Sequence, residues 1–86
     1  MFALPSPASD DDRLQAAILN LLLLEHPAFL SISEVATALR EDPRGSAGER
    51  IERAANDLAA HGLAHRQGEL IAASRPAARL DRLLLG

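Results

Sequence analysis

Residues 58–71 constrain the fold of this chain more than any other part of its sequence. They read Leu58-Ala-Ala-His-Gly62-Leu63-Ala-His-Arg-Gln67-Gly68-Glu-Leu-Ile71. Gly62 can adopt the left-handed backbone conformation that closes a helix, and Leu63 just beyond it can pack back on the last turn. Gln67 and Gly68 suit a tight turn between two short extended pieces. The segment therefore predicts a helix that is followed at once by a small β-hairpin over residues 63–73.

Two helices with capping signatures precede this hairpin. Ser31-Ile-Ser-Glu34 has the form of a capping box and predicts a helix that ends near residues 40–41. Asp42-Pro-Arg-Gly45 has the composition of a turn. Ser46-Ala-Gly-Glu49 has the form of a second capping box and predicts a helix over about residues 47–61. Two capped helices joined by a tight turn are typical of a helix-turn-helix.

Leucine-rich helices are predicted on both sides of this unit. Asp10-Asp-Asp12 suits the positive end of a helix dipole, and we expect a first helix that continues to about His26, before Pro27. That helix has one apolar stripe for a core, formed by Leu14, Ala17, Ile18, Leu21 and Leu22. A second stripe, which a surface helix does not need, is formed by Leu19, Leu23 and Leu24. Pro76 suits the first turn of a last helix, whose apolar face is Ala77, Leu80, Leu83 and Leu84.

Length and composition limit the chain to one small domain. Its 86 residues can bury only a thin core, and with no cysteine the chain can form neither a disulfide nor a thiolate zinc site. The chain is 48% hydrophobic with only two aromatic residues, a composition that favours helix. We predict a mainly α-helical α+β protein with a flexible arm at residues 1–9, a domain at 10–73 and a C-terminal helix at 74–86.

Nothing in the sequence predicts a membrane span or a secretory signal. The longest apolar run, residues 21–24, is far shorter than the roughly 20 residues that a spanning helix needs. Residues 1–9 have neither the basic region nor the apolar stretch of a signal peptide. We therefore expect no membrane partner and a cytoplasmic location.

The sequence also has no strong signature of a metal, cofactor or catalytic site. His61 and His65 are four residues apart, but Gly62 lies between them and no cysteine or carboxylate pair completes a metal site. Residues 10–12 would point in different directions on a helix, so a helix cap explains them better than a divalent ion. No glycine-rich phosphate loop and no Ser/His/Asp arrangement is evident, and so small a domain seldom has a concave active site. We expect no metal, no cofactor and no enzymatic activity.

Over about residues 10–73 the chain resembles the winged helix-turn-helix domains of bacterial transcription regulators. In that family the second helix often begins with Thr/Ser-x-x-Glu-Leu/Val-Ala, which here is Ser31-Ile-Ser-Glu-Val-Ala36. The third helix often ends in Leu-x-x-x-Gly-Leu followed by a basic residue, which here is Leu58-Ala-Ala-His-Gly-Leu63 with Arg66 soon after. The resemblance implies a three-helix core with a short wing. It also implies that the third helix enters the major groove of DNA and that the wing touches the backbone or the minor groove.

By position, the resemblance assigns DNA binding to the third helix and the wing. The implied DNA-binding residues are Arg44, Ser46, Arg50, Arg53, Asn56, His65 and Arg66. Arg50 and Arg53 share a helix face, from which either guanidinium could reach a guanine edge or a phosphate. The alternative for this face is a solvated Glu49–Arg53 ion pair. Over residues 44–66 four arginines stand against three acidic residues, and the whole chain has a net charge of −3, so the electrostatic signal for nucleic acid is weak.

The sequence therefore predicts two alternative functions. The first is a small dimeric transcriptional regulator that binds double-stranded DNA, with two third helices about 34 Å apart on successive major grooves. The homodimer interface would use Leu19, Leu23, Leu80, Leu83 and Leu84. The second is a winged-helix module that binds another protein and no DNA. The acidic isoelectric point, the glutamates within the third helix and the surplus apolar helix faces favour this second function.

Overall fold

The computed structural model describes residues 10–42 and 44–85. Within them the elements are α1 (Asp10–Glu25), β1 (Leu30–Ser31), α2 (Ile32–Ala38), α3 (Ser46–Ala60), β2 (Ala64–Gln67), β3 (Leu70–Ala73) and α4 (Arg75–Leu85). The predicted class, mainly helical with a small amount of β-structure, is confirmed. The arm predicted for residues 1–9 lies outside the described residues, as does the last residue of the predicted C-terminal helix.

The three strands form one antiparallel sheet in the order β1-β3-β2. Strands β2 and β3 form the predicted hairpin, in which Arg66 lies opposite Ile71, and Gly68 has a positive φ in the turn. Strand β1 adds a third strand, because Leu30 also pairs with Ile71 from the other side. In the sequence, Phe29-Leu-Ser31 reads as a short extended connector, with no pairing predicted for it. A strand of two residues is too short to show an alternating pattern.

The core lies between α1, α2, α3 and the sheet and consists of aliphatic side chains. Ile18 and Leu22 of α1 are fully buried. They belong to one buried cluster with Ile51 and Leu58 of α3 and with Ile71 of β3. Ala54 and Ala55 are buried on the same face of α3. Burial of each large aliphatic side chain contributes about 1.5–3 kcal/mol.

Helix α1 uses its two apolar stripes differently. Most of the first stripe lies in or against the core, but Ala17 is exposed, so its assignment to that stripe was wrong. Ile18 and Leu22 are the centre of the buried face, and Ala17 lies on the edge of that face away from Leu19 and Leu23. In the second stripe, Leu19 and Leu23 are half-buried against the core, whereas Leu24 is 74% exposed.

Only one of the two predicted capping boxes forms. At α2, Glu34 N donates to Ser31 Oγ at 3.0 Å and Ser31 N donates to Glu34 Oε1 at 2.8 Å, as predicted. At α3 the prediction was wrong, because Gly45 is the N-cap residue and no side chain caps the helix. Ser46 is already the first helical residue, so its hydroxyl is one position too late to act as the cap. Gly45 N donates to Asp42 O at 3.3 Å in the preceding turn, and the helix begins directly after Gly45, one residue before the predicted start.

Helix α3 ends as the glycine signal predicted. Gly62 has a φ of +78°, Gly62 N donates to Ala59 O at 3.1 Å, and Leu63 N donates to Leu58 O at 2.9 Å. These two hydrogen bonds form a Schellman motif, which satisfies carbonyls of the last helical turn. Leu63 is half-buried and packs against the core. The motif therefore directs the chain from α3 straight into β2.

Helix α4 follows the sheet after one residue. Ser74 is buried and caps the helix, since Ala77 N donates to Ser74 Oγ at 3.1 Å. Ser74 N in turn donates to Leu63 O at 3.0 Å, which ties the start of α4 to the end of α3. Of the residues of α4, only Ala77 is buried. No helix among residues 10–42 and 44–85 is long and apolar enough to cross a bilayer.

Candidate nucleic-acid interface

The seven residues predicted to bind DNA lie on the α2–α3 turn, on α3 and on β2. Helix α3 buries one side, which includes Ile51 and Leu58, and exposes the opposite side to solvent. Arg50, Arg53 and Asn56 are all exposed on α3. By helical periodicity Arg50 lies on the flank nearer α1, Arg53 lies towards the middle of the exposed side, and Asn56 lies towards the hairpin. The predicted residues of α3 therefore differ in their surroundings, and only Asn56 is joined to the hairpin.

On the hairpin flank, the Arg66 guanidinium is held by acceptors within the protein. Its Nη2 donates to Glu52 Oε1 at 2.7 Å, and its Nη1 donates to Asn56 Oδ1 at 2.9 Å. Nε and Nη2 also donate to Gly68 O in the turn, at 3.2 and 2.8 Å. The side chain of Arg66 is only 16% exposed, and that of Glu52 is 48% exposed. This network joins the hairpin to α3 and neutralises the charge of Arg66.

On the rest of the exposed side of α3, Arg50 and Arg53 have no hydrogen bond and no ion pair to any residue that the structure describes. Within the described chain, Glu49 and Arg53 do not form the ion pair that was the alternative for this face. Arg50 borders a shallow cavity of about 280 Å³ beside the start of α1 and Glu41. Asp57, the carboxylate four residues after Arg53, instead accepts a hydrogen bond from Gln15 Nε2 at 3.3 Å. Both guanidiniums are therefore available to an external acceptor.

The remaining predicted residues are peripheral. The Arg44 Nε lies 3.8 Å from Asp42 Oδ1, and the two side chains are 91% and 67% exposed, so this pairing is loose. Ser46 is exposed at the start of α3, and His65 is exposed on β2 opposite Ala72. His61 Nδ1 lies 2.7 Å from Asp57 O at the end of α3. In the described part of the chain no three His, Cys, Asp or Glu side chains gather as a metal site would require.

The leucines predicted to form a dimer interface lie mostly along one groove between α1 and α4. Leu19 and Leu23 of α1 and Leu80 and Leu84 of α4 line it, together with Leu63, Ala77 and Asp81, around a cavity of about 210 Å³. We call this surface the leucine groove. Leu83 is 67% exposed and does not line the groove. The arginines of α4 were not among the predicted site residues, although their spacing is visible in the sequence.

Comparisons of the chain with protein-family models, with curated proteins and with solved structures find no match. The surfaces described above are therefore the basis for a functional proposal. They comprise the hairpin flank of α3, the exposed Arg50 and Arg53, which have no partner among the described residues, and the leucine groove on the other side of α1.

Proposed function

We propose that this chain is a small winged-helix protein that binds double-stranded DNA through α3. The order of the elements supports the proposal, since α2, α3 and a hairpin follow one another as in a helix-turn-helix with a wing, with residues 39–45 between the two helices. In this proposal α3 enters the major groove and the β2–β3 hairpin is the wing. The protein acts as a transcriptional regulator or as an accessory factor of one.

The observation that carries the proposal is the pair of unpartnered arginines on α3. Arg50 and Arg53 are exposed, share a helix face and have no acidic partner among the described residues. A guanidinium presents a planar fork of N–H donors that matches a phosphate or a guanine edge. Phosphate contacts of this kind provide most of the affinity of non-specific DNA binding.

The Arg66 network has a supporting role in this proposal. Because Arg66 joins the hairpin to Glu52 and Asn56, the wing and α3 approach DNA as one unit. Arg66 and Asn56 then fix the spacing between helix and wing, and their contacts with DNA are secondary. Arg44, Ser46 and His65 lie at the edges of the surface and are proposed as contacts to the DNA backbone.

The test is a titration of random-sequence duplex DNA with wild-type protein and with Arg50→Gln/Arg53→Gln at several salt concentrations. We expect wild-type binding near 50 mM salt, with an affinity that falls as salt rises. Each lost phosphate contact reduces the slope of log K against log salt by about 0.9, so the double variant should have a slope shallower by about 2. Arg50→Lys/Arg53→Lys keeps both charges and should retain non-specific binding. Absence of wild-type binding at low salt, or an unchanged Gln variant, would contradict the proposal.

A second candidate function is protein binding through the leucine groove, and the exposure of the α4 leucines favours it. Leu80 and Leu84, which line the groove, are each more than half exposed. Contiguous apolar surface of this kind is typical of an interaction site. The partner that we propose for this surface is a second copy of the chain, which would complete a homodimeric regulator. If the protein binds no DNA, the groove would instead define a protein-interaction module.

A further inference from the structure

We propose that α4 contains a second anion-binding surface and that its ligand is the phosphodiester backbone of nucleic acid. The surface consists of Arg75, Arg79 and Arg82, with His26 beside them at the end of α1. We call the three arginines the arginine stripe. The proposal rests on the proposed nucleic-acid binding but uses none of the residues of α3.

The arginine stripe follows from the spacing of its residues along α4. Positions i, i+4 and i+7 lie on one side of a helix, and at 1.5 Å per residue they extend over about 10 Å. The three side chains are exposed, and they border a groove of about 480 Å³ between α4 and the end of α1. The other residues that line the groove are Leu23, His26, Ala78 and Asp81.

The stripe carries positive charge that the described residues do not neutralise. Neither an ion pair nor a hydrogen bond joins any of the three guanidiniums to another described residue. Asp81 is the one carboxylate among the described residues that line the groove. Like charges at positions i and i+4 repel each other, so the stripe does not stabilise the isolated helix. In a chain with a net charge of −3, such a concentration of positive charge favours binding of an anion.

The shape of the stripe favours an extended polyanion over a single phosphate. Three exposed guanidiniums spread over two helical turns cannot all surround one small ion, but they can contact successive phosphates along a strand. An anionic membrane surface fits less well. Leu80 and Leu84 are more than half exposed, but helical periodicity places them on roughly the opposite side of α4 from the arginines, so contact of the stripe with a flat anionic surface would not also bury these leucines in the acyl layer.

The experiment compares two variants that remove the same charge from different helices. Arg75→Gln/Arg79→Gln and Arg50→Gln/Arg53→Gln each remove two exposed arginines, and circular dichroism melting checks that both variants fold. The probe is a fluorescent 20-base-pair random duplex, titrated at several salt concentrations. We expect the α4 variant to have a salt slope shallower by about 2 than the wild type. Asp81→Asn removes the carboxylate from the groove and should strengthen binding.

The possible outcomes separate this proposal from binding through α3. If only the α3 variant weakens binding, the arginine stripe is overturned and the proposed function stands. If only the α4 variant does, the stripe is supported and binding through α3 is overturned. Loss of binding to phosphatidylglycerol vesicles in the α4 variant, with duplex binding unchanged, would overturn nucleic acid as the ligand. If inorganic phosphate displaces the duplex at concentrations too low to change the ionic strength, the stripe is a site for small anions. That result would also overturn nucleic acid as the ligand.

Discussion

At the scale of single residues, Arg66 shows what a sequence pattern cannot predict. Its position after the helix-terminating glycine made it a candidate for DNA contact, and that assignment stays a prediction. Its acceptors on α3, Glu52 and Asn56, lie 14 and 10 residues earlier in the chain. They contact Arg66 only because the hairpin folds back along α3, and the sequence pattern does not predict that placement. Arg50 and Arg53, which have no described partner, are candidates through the resemblance and their shared helix face, and their assignment also stays a prediction.

The Arg66 network leads to a prediction about stability. A double-mutant cycle with Glu52→Gln and Arg66→Gln should give a coupling free energy of about 0.5–1 kcal/mol, because the guanidinium is mostly buried and its geometry is fixed by several acceptors. The free energies of unfolding are measured by urea denaturation. The same cycle at Asp42 and Arg44 is the control. Its coupling should be close to zero, since both side chains are mostly exposed and 3.8 Å apart. Equal coupling in the two cycles would contradict the structural role of Arg66.

At the scale of elements, α2 and α3 end in the same motif, but only one of the two ends could be predicted. In α2, Arg40 N donates to Thr37 O at 3.0 Å and Glu41 N donates to Ala36 O at 2.8 Å, which is again a Schellman motif. Here Arg40 occupies the left-handed position with a φ of +61°. Because no glycine marks this position, the predicted end at residues 40–41 was two to three residues late. The actual last residue of α2 is Ala38.

The strained end of α2 leads to a second prediction. Replacement of Arg40 by glycine should raise the free energy of unfolding by up to about 1 kcal/mol, because a side chain in the left-handed region costs about that much and glycine avoids the cost. Gly62→Ala makes the opposite change at the end of α3 and should lower stability by about 1 kcal/mol. Thermal melting of both variants against the wild type measures the two shifts. A destabilised Arg40→Gly protein would show that the Arg40 side chain has a stabilising role that outweighs its backbone strain.

At the scale of the whole molecule, the order of helices and the hairpin followed from local signals, whereas the surfaces did not. Capping residues, a helix-terminating glycine and apolar periodicity each depend on residues that are close in sequence, so they predict the helices and the hairpin one element at a time. Which charges are neutralised depends on how α3, the hairpin and α4 are placed relative to one another. The predicted DNA contacts therefore include Arg66, which is paired, and leave out the arginines of α4, which have no partner among the described residues. The second apolar stripe of α1 is a partial success, since Leu19 and Leu23 line the leucine groove but Leu24 does not.

The leucine groove leads to the last prediction, which concerns the oligomeric state. If a second copy occupies the groove, wild-type protein should sediment as a dimer at micromolar concentration, and Leu84→Glu should sediment as a monomer because it buries a charge in the interface. Leu24→Glu is the matched control. Leu24 and Leu84 are 74% and 75% exposed, so neither substitution disturbs the core, but only Leu84 lines the groove. Analytical ultracentrifugation distinguishes the two species. A wild-type monomer throughout the micromolar range would remove the homodimer, and with it the paired α3 helices on successive major grooves.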